Sequence, residues 1–219
     1  MTPRLRPVLA VLALAGALVA CGARSDDGPT GGDAGPVDGG VASPSDSAVP
    51  ADALAPDGSS SDAGDASSGP FTLTSSRFAD GGTLPADFTC DGAGTSPPLA
   101  WSGVPAGTVE LALLMTTLAK DGLKWNWVLY GLPPTPAALA VGSNGGGTCG
   151  LTSDGPNLAY SPPCSQGPGA KTYTFTLYAL SARPTLPAQP SQVTGAVLTD
   201  AISTITLAKS ELSVSYTRP

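Results

Sequence analysis

The side chain most often used for proton transfer near neutral pH is missing: the 219-residue sequence contains no histidine. This removes Ser-His-Asp and Cys-His nucleophilic arrangements, imidazole general bases and most zinc sites in one step. From Pro70 onward there are eight carboxylates, with no close Asp/Glu pairing of the kind that cleaves glycosides. No Gly-x-Gly-x-x-Gly joins a strand to a helix, and there is no phosphate-loop motif. The inventory argues against an enzyme and calls for no cofactor and no metal. Four cysteines remain, at positions 21, 90, 149 and 164. In an exported chain Cys90, Cys149 and Cys164 can form disulfides, but three is an odd number and leaves one thiol over or an intermolecular pairing.

Cys21 belongs to a separate pattern. Arg4 and Arg6 precede a 13-residue apolar run, Val8 to Ala20, too short for a comfortable membrane span and the right size for the apolar part of a signal peptide. The run ends in Leu18-Val-Ala-Cys-Gly22, which resembles the lipobox of bacterial lipoproteins. That resemblance implies cleavage after residue 20, lipid on the Cys21 sulfur and a durable membrane anchor. The expected location is the bacterial cell envelope. Gly22, where an Asp would favour the inner membrane, points to the outer one.

Residues 22–69 hold nine Asp against Arg24, and only Val37, Val41, Val49 and Leu54 as larger apolar residues. Such a stretch cannot bury enough surface to offset its ordering entropy, so 21–69 reads as a lipidated acidic tether of Gly, Ala, Ser, Pro and Asp. The chain's net charge of −7 comes from this segment, because residues 70–219 nearly balance. With no basic patch, nucleic acid is not an expected partner.

Residues 70–219 are expected to form one domain in which period-2 patterns dominate. Strands are read at 71–75, 109–117, 125–130, 173–180 and 211–217. In the first long one Val109, Leu111, Leu113 and Met115 share a face, and in the next Trp125 and Trp127 share one side with Asn126 on the other. One helix is expected after Pro190, capped by Ser191, with Val193, Val197, Ala201 and Ile205 at helical spacing and Leu198 and Ile202 beside them. The longest connection, 142–170, is rich in Gly, Pro and Ser and holds two cysteines, which suits a binding loop. The fold class is mainly β: an antiparallel sandwich of a large central sheet and a smaller one, with a single C-terminal helix.

A series of short motifs runs in order through the domain. Phe78-Ala-Asp-Gly-Gly-Thr-Leu-Pro85, Phe88-Thr-Cys-Asp-Gly92, Ser96-Pro-Pro-Leu-Ala-Trp101 and Val104-Pro-Ala-Gly107 come first. Leu111-Ala-Leu-Leu-Met115, Trp125-Asn-Trp-Val128, Leu132-Pro133, Tyr160-Ser-Pro-Pro-Cys164 and Tyr173-Thr-Phe-Thr-Leu-Tyr-Ala-Leu180 follow. Together they resemble the phosphatidylethanolamine-binding protein family, in the bacterial branch similar to Raf kinase inhibitor protein. The resemblance implies a pocket for phosphate-like anions at one end of the sheet. It also marks three departures. The family's aspartates after the Leu-Ala-Leu strand fall near Thr117 and Ala119, the histidine between the two Trp is Asn126, and a second histidine aligns near Lys171.

The substituted set still describes a pocket. Asn126 can donate and accept without titrating, Lys171 supplies a cation, Thr117 a hydroxyl, and the backbone of Ser165 to Gly169, including Gly167, can offer N–H groups to an anion. Trp125, Pro163 and Tyr173 complete the expected ligand-binding set. Each residue also has a plain structural role open to it: Asn126 satisfying backbone groups, Lys171 as a solvated edge charge, the tryptophans as core. The family fold further implies that the loops of Cys90 and Cys164 meet, giving a Cys90–Cys164 disulfide and a free Cys149, with Cys149–Cys164 as the alternative. The functional expectation is a non-catalytic, envelope-anchored domain for a small polar or anionic group, such as a phospholipid headgroup or phosphate ester. A protein-interaction or inhibitor module with a vestigial pocket is the alternative.

Overall fold

A computed structural model describes residues 69–165 and 169–219. The lipobox, Cys21 and the tether lie outside the described residues, as does Gly167. Among the described residues nine strands form two sheets. β1 (Thr72–Thr74), β3 (Leu99–Ser102) and β6 (Ala138–Leu139) make a small antiparallel sheet in the order β1-β3-β6. The large sheet runs β2-β9-β8-β4-β5-β7 and contains β2 (Gly82–Thr83), β4 (Glu110–Ala119), β5 (Gly122–Leu132), β7 (Thr148–Cys149), β8 (Lys171–Leu180) and β9 (Thr206–Tyr216). Only β2 runs parallel to its neighbour, β9. The expected mainly β sandwich is the fold observed. The short strands β2, β3, β6 and β7 were not expected from the sequence, because two to four residues carry too little periodicity to read.

Both faces of the large sheet are covered, which is why β4 is buried through its first six residues rather than alternating. Leu111, Leu113 and Met115 point into the space between the sheets with Trp101, Trp127 and Phe175, while Ala112 and Leu114 face the helix side with Val128, Leu198 and Ile202. Val109, expected to share the inner face, instead precedes the strand and is half exposed. The helix α1 (Gly195–Ile202) is capped by Thr194, whose Oγ1 accepts from the Val197 N–H at 3.3 Å. Ser191 falls in a short 3-10 turn, Pro190–Gln192, so the expected cap lies three positions early. The buried stripe is Gly195, Leu198 and Ile202; Val197 and Ala201 are only partly covered.

β5 departs from a flat strand at a point that matters for the site. Met115 pairs with Trp127 and Thr116 with Trp125, so Asn126 is an extra residue on β5, a β-bulge. The bulge sends the two tryptophans to opposite faces, correcting the expectation that they share one. Trp127 is wholly enclosed between the sheets, and Trp125 packs on the helix side. A Cβ built on Gly195 would lie 1.9 Å from Trp125 Cδ1. The glycine that lowers helix propensity is therefore the residue that lets the indole sit against the first helical turn.

Candidate functional site

The cavity lies at the end of the large sheet where β4 turns into β5 and β8 begins, and its volume is about 620 Å³. Thr117 pairs with Lys124 on one side and Tyr173 on the other, so three neighbouring strands deliver these side chains to one place. The bulge adds Asn126. Across from the strands, the loop that follows β7 returns Asp154, Ser161 and Ser165 to the same space. That loop is fastened to the edge of β5 by four hydrogen bonds. Ser153 N–H donates to Trp125 O at 2.9 Å, Trp125 N–H to Ser153 Oγ at 2.9 Å, Ser161 N–H to Asn126 O at 2.7 Å, and Asn126 Nδ2 to Ser161 O at 3.3 Å.

The far wall is covalent. Cys90 and Cys164, 74 residues apart in sequence, form a disulfide with a Cα–Cα distance of 5.2 Å, and both border the cavity. Cys90 N–H donates to Pro163 O at 3.1 Å, and Tyr160 Oη donates to Phe88 O at 2.7 Å, so the two loops are tied above and below the bridge. A second clasp reaches the same loop from the C-terminal strand: Asp91 accepts from Tyr216 Oη, and its Oδ1 lies 3.1 Å from Arg218 Nε. The expected Cys90–Cys164 pairing is the one formed. Cys149 is not free, however, which corrects the expectation of a spare thiol: none of the cysteines among the described residues is free.

Two buried polar atoms at the site have no partner among the described residues. Asn126 spends its amide nitrogen on Ser161 and leaves Oδ1 unsatisfied, and Ser165 Oγ is unsatisfied as well, in residues only 5% and 8% exposed. An unpaired buried polar atom costs about 1–3 kcal/mol, a cost that a bound group can relieve. Thr117 Oγ1 donates to Thr172 O at 2.7 Å and keeps its lone pairs for a donor. Charge at the rim is mixed. Lys120, Lys124 and Lys171 stand against Asp121 and Asp154, with Lys124 Nζ 2.6 Å from Asp121 Oδ2. The hydrogen bond from Lys124 holds the Asp121 carboxyl below its ordinary range. Burial, then the nearby charge of Asp154, pushes the Tyr173 phenol above its own. Asp154 accepts a hydrogen bond from Ser161 Oγ.

Of the eight residues expected to bind ligand, Thr117, Asn126, Ser165, Lys171 and Tyr173 border the cavity. Trp125 does not, because the bulge turns it to the helix face. Pro163 does not either: it is buried behind the disulfide, where its carbonyl serves Cys90. Gly167 lies outside the described residues. Sequence reasoning missed the turn residues Lys120 and Asp121, and Lys124, Asp154 and Ser161. Lys124 could have been found by carrying the Thr117 face across the hairpin; Asp154 and Ser161 sit in a loop with no periodicity to follow.

A two-sheet sandwich with a polar cavity closed at one end of its large sheet is the architecture of the phosphatidylethanolamine-binding proteins. The model of that family matches residues 74–217, and the chain belongs to it. Among individual relatives, it is 39% identical over 120 residues to the Mycobacterium tuberculosis protein named lipoprotein LppC, a match covering 54% of this chain and 59% of that one. It is 35% identical over 151 residues to a UPF0098 protein of Chlamydia muridarum, covering 66% of this chain and 97% of the relative. Two solved structures share the fold. The phosphatidylethanolamine-binding protein homologue CT736 of Chlamydia trachomatis aligns with a TM-score of 0.62 at 30% identity, over 68% of this chain and 98% of its own. YbcL of Escherichia coli, described as a member of the mammalian family, aligns with 0.61 at 25% identity, over 68% and 99%.

Proposed function

We propose that this is a non-catalytic binding domain, held at the cell envelope by lipid on Cys21, whose end cavity takes a small polar or anionic group such as a phosphate ester or a phospholipid headgroup. The observation that carries the reading is the pair of unsatisfied buried atoms, Asn126 Oδ1 and Ser165 Oγ, in a cavity rimmed by Lys120, Lys124 and Lys171. A ligand with an anionic end for the lysines and a hydrogen-bond donor for Asn126 would meet both needs. The envelope anchor is supported by the lipobox-like Leu18 to Cys21 and by the lipoprotein name of the LppC relative.

Titration calorimetry with inorganic phosphate, phosphate esters and phosphoethanolamine tests the cavity. Binding is expected to weaken with salt, and Lys171→Ala to remove most of that sensitivity. Asn126→Ala should lower affinity without altering the salt slope. For a test anion of fixed charge, affinity should stay flat between roughly pH 5.5 and 8, since no imidazole is available to titrate there. The shifts of Asp121 and Tyr173 also lead away from neutrality. No heat of binding with any of these compounds up to millimolar concentration would sink the proposal and leave the interaction-module reading in front. For the anchor, Cys21→Ser should abolish acyl labelling and release the protein from membranes; unchanged fractionation would refute it.

A further inference from the structure

The last β4–β8 pair is Thr117 with Tyr173, but β4 and β5 stay paired beyond it through Leu118–Leu123 and Ala119–Gly122. Residues 118–123 therefore project past the sheet as a two-stranded ribbon. One side of the ribbon, with Ala119 and Lys124, forms a lip of the cavity. The other side presents Leu118 and Leu123, directly opposite each other and 74% and 49% exposed. Exposed large apolar residues are few in this domain: Val109, Val141 and Leu207 are the others among the described residues, and none of them is a cross-strand partner of another. The cavity side of the tip carries a cationic rim. Asp121 is paired with Lys124, whereas Lys120 and Lys171 form no ion pair among the described residues.

We infer that this ribbon is a membrane-contacting tip, inserting Leu118 and Leu123 into the interfacial region of an anionic bilayer while Lys120 and Lys171 meet its headgroups. Two leucines on a ribbon fall far short of the roughly 800 Å² per partner that a stable protein interface buries. They are the right scale for a shallow membrane contact, where apolar burial and attraction to anionic lipid act together. This step rests on the lipid anchor proposed above: for a chain so tethered a weak contact suffices, because the tether raises the effective concentration. The inference goes beyond the cavity reading and does not require the cavity to be filled.

The test uses residues 69–219, since the solved relatives consist almost wholly of this domain, which covers 98% and 99% of their chains. The probes are vesicles of phosphatidylcholine alone and of phosphatidylcholine mixed with phosphatidylglycerol, read by co-sedimentation. The domain is expected to bind the mixed vesicles more tightly, and Leu118→Ser with Leu123→Ser to weaken that binding about tenfold or more. Lys120→Glu should reduce the preference for phosphatidylglycerol, and Val141→Ser should change nothing. Independently, Leu118→Trp should show a blue-shifted component in its emission on adding mixed vesicles. Equal vesicle binding by the double variant, no vesicle binding by the domain, or a dimer in sedimentation that the double variant abolishes would each overturn the inference. The phosphoethanolamine titration should be the same for the double variant and its parent. Its failure in the parent would sink the cavity reading while leaving the vesicle result standing.

Discussion

Trp125 and Trp127 are one residue type two places apart on one strand, and the sheet uses them in opposite ways. Trp127 lies wholly enclosed between the sheets with its ring edge-on to Tyr160 at 5.4 Å, and Trp125 covers the helix side against Gly195. The residue between them causes the difference. Bulging Asn126 out of the ladder interrupts the alternation once, so Asn126 faces the cavity beside Trp127 rather than sharing the opposite face. The middle of the sheet is an apolar core, where the enclosed Trp127 also leaves its indole N–H without a partner among the described residues. A few ångströms along the same strand, a local break in pairing leaves room for polar atoms without partners. The site is thus made by ending regular pairing, and the core by continuing it.

That contrast can be broken by measurement. Trp127→Ala should cost about 3–5 kcal/mol of stability, as large aromatic truncations in cores do, whereas Asn126→Ala should cost about 0.5–1.5 kcal/mol for its one hydrogen bond. Urea denaturation of both variants checks this, and equal losses would show that the bulge is as much core as site. Next in size, Cys90→Ala with Cys164→Ala should lower stability by roughly 2–4 kcal/mol and weaken ligand binding at the cavity. A variant as stable as its parent would mean that the hydrogen bonds alone hold the wall. Gly195→Ala should cost about 1–3 kcal/mol by overpacking Trp125, although alanine is the better helix former; a gain in thermal midpoint would show that the indole moves aside easily.

The smallest expected effect concerns the C-terminal clasp. The hydrogen bond from Tyr216, with Arg218 beside it, holds the Asp91 carboxyl below its ordinary range despite some desolvation. A carboxyl lowered on folding contributes stability above its unfolded pKa, near 3.9, and loses it as pH falls through the folded value. Asp91→Asn should therefore flatten the acid limb of the stability profile below about pH 4 while leaving its shape at neutral pH unchanged. Superimposable profiles for the two proteins would remove Asp91 from the account.

Much of the fold was legible because five strands have clear alternation or apolar runs, and Pro190 marks the approach to the helix. The site was legible only in part. Reading Trp125-Asn-Trp as unbroken alternation assumes regular pairing, and a bulge depends on the neighbouring strand, which local pattern does not contain. Thr117, Asn126, Lys171 and Tyr173 were reached through family resemblance, and their physical chemistry then made sense of them. Asp154 and Ser161 were out of reach because hydrogen bonds to the edge of β5 place them, not any period of their own. The same limit explains the helix start. Ser191 and Thr194 are both acceptable caps by type, and the 3-10 turn that takes up Ser191 leaves the cap to the second.

The disulfide in the cavity wall also sets an order of events. Cys90 and Cys164 close a stretch of chain that contains β4, β5 and the loop carrying Asp154 and Ser161, so the bridge draws together segments that must already be near their final places. A reducing compartment keeps such thiols apart, and an oxidising one joins them. Until that bond forms, the strands can supply Thr117, Asn126 and Tyr173, but the opposing loop with Ser165 lacks its covalent hold. Closure of the cavity wall therefore depends on oxidation of these two thiols: a chain in which they are reduced carries the residues that border the cavity without the covalent hold between the two loops.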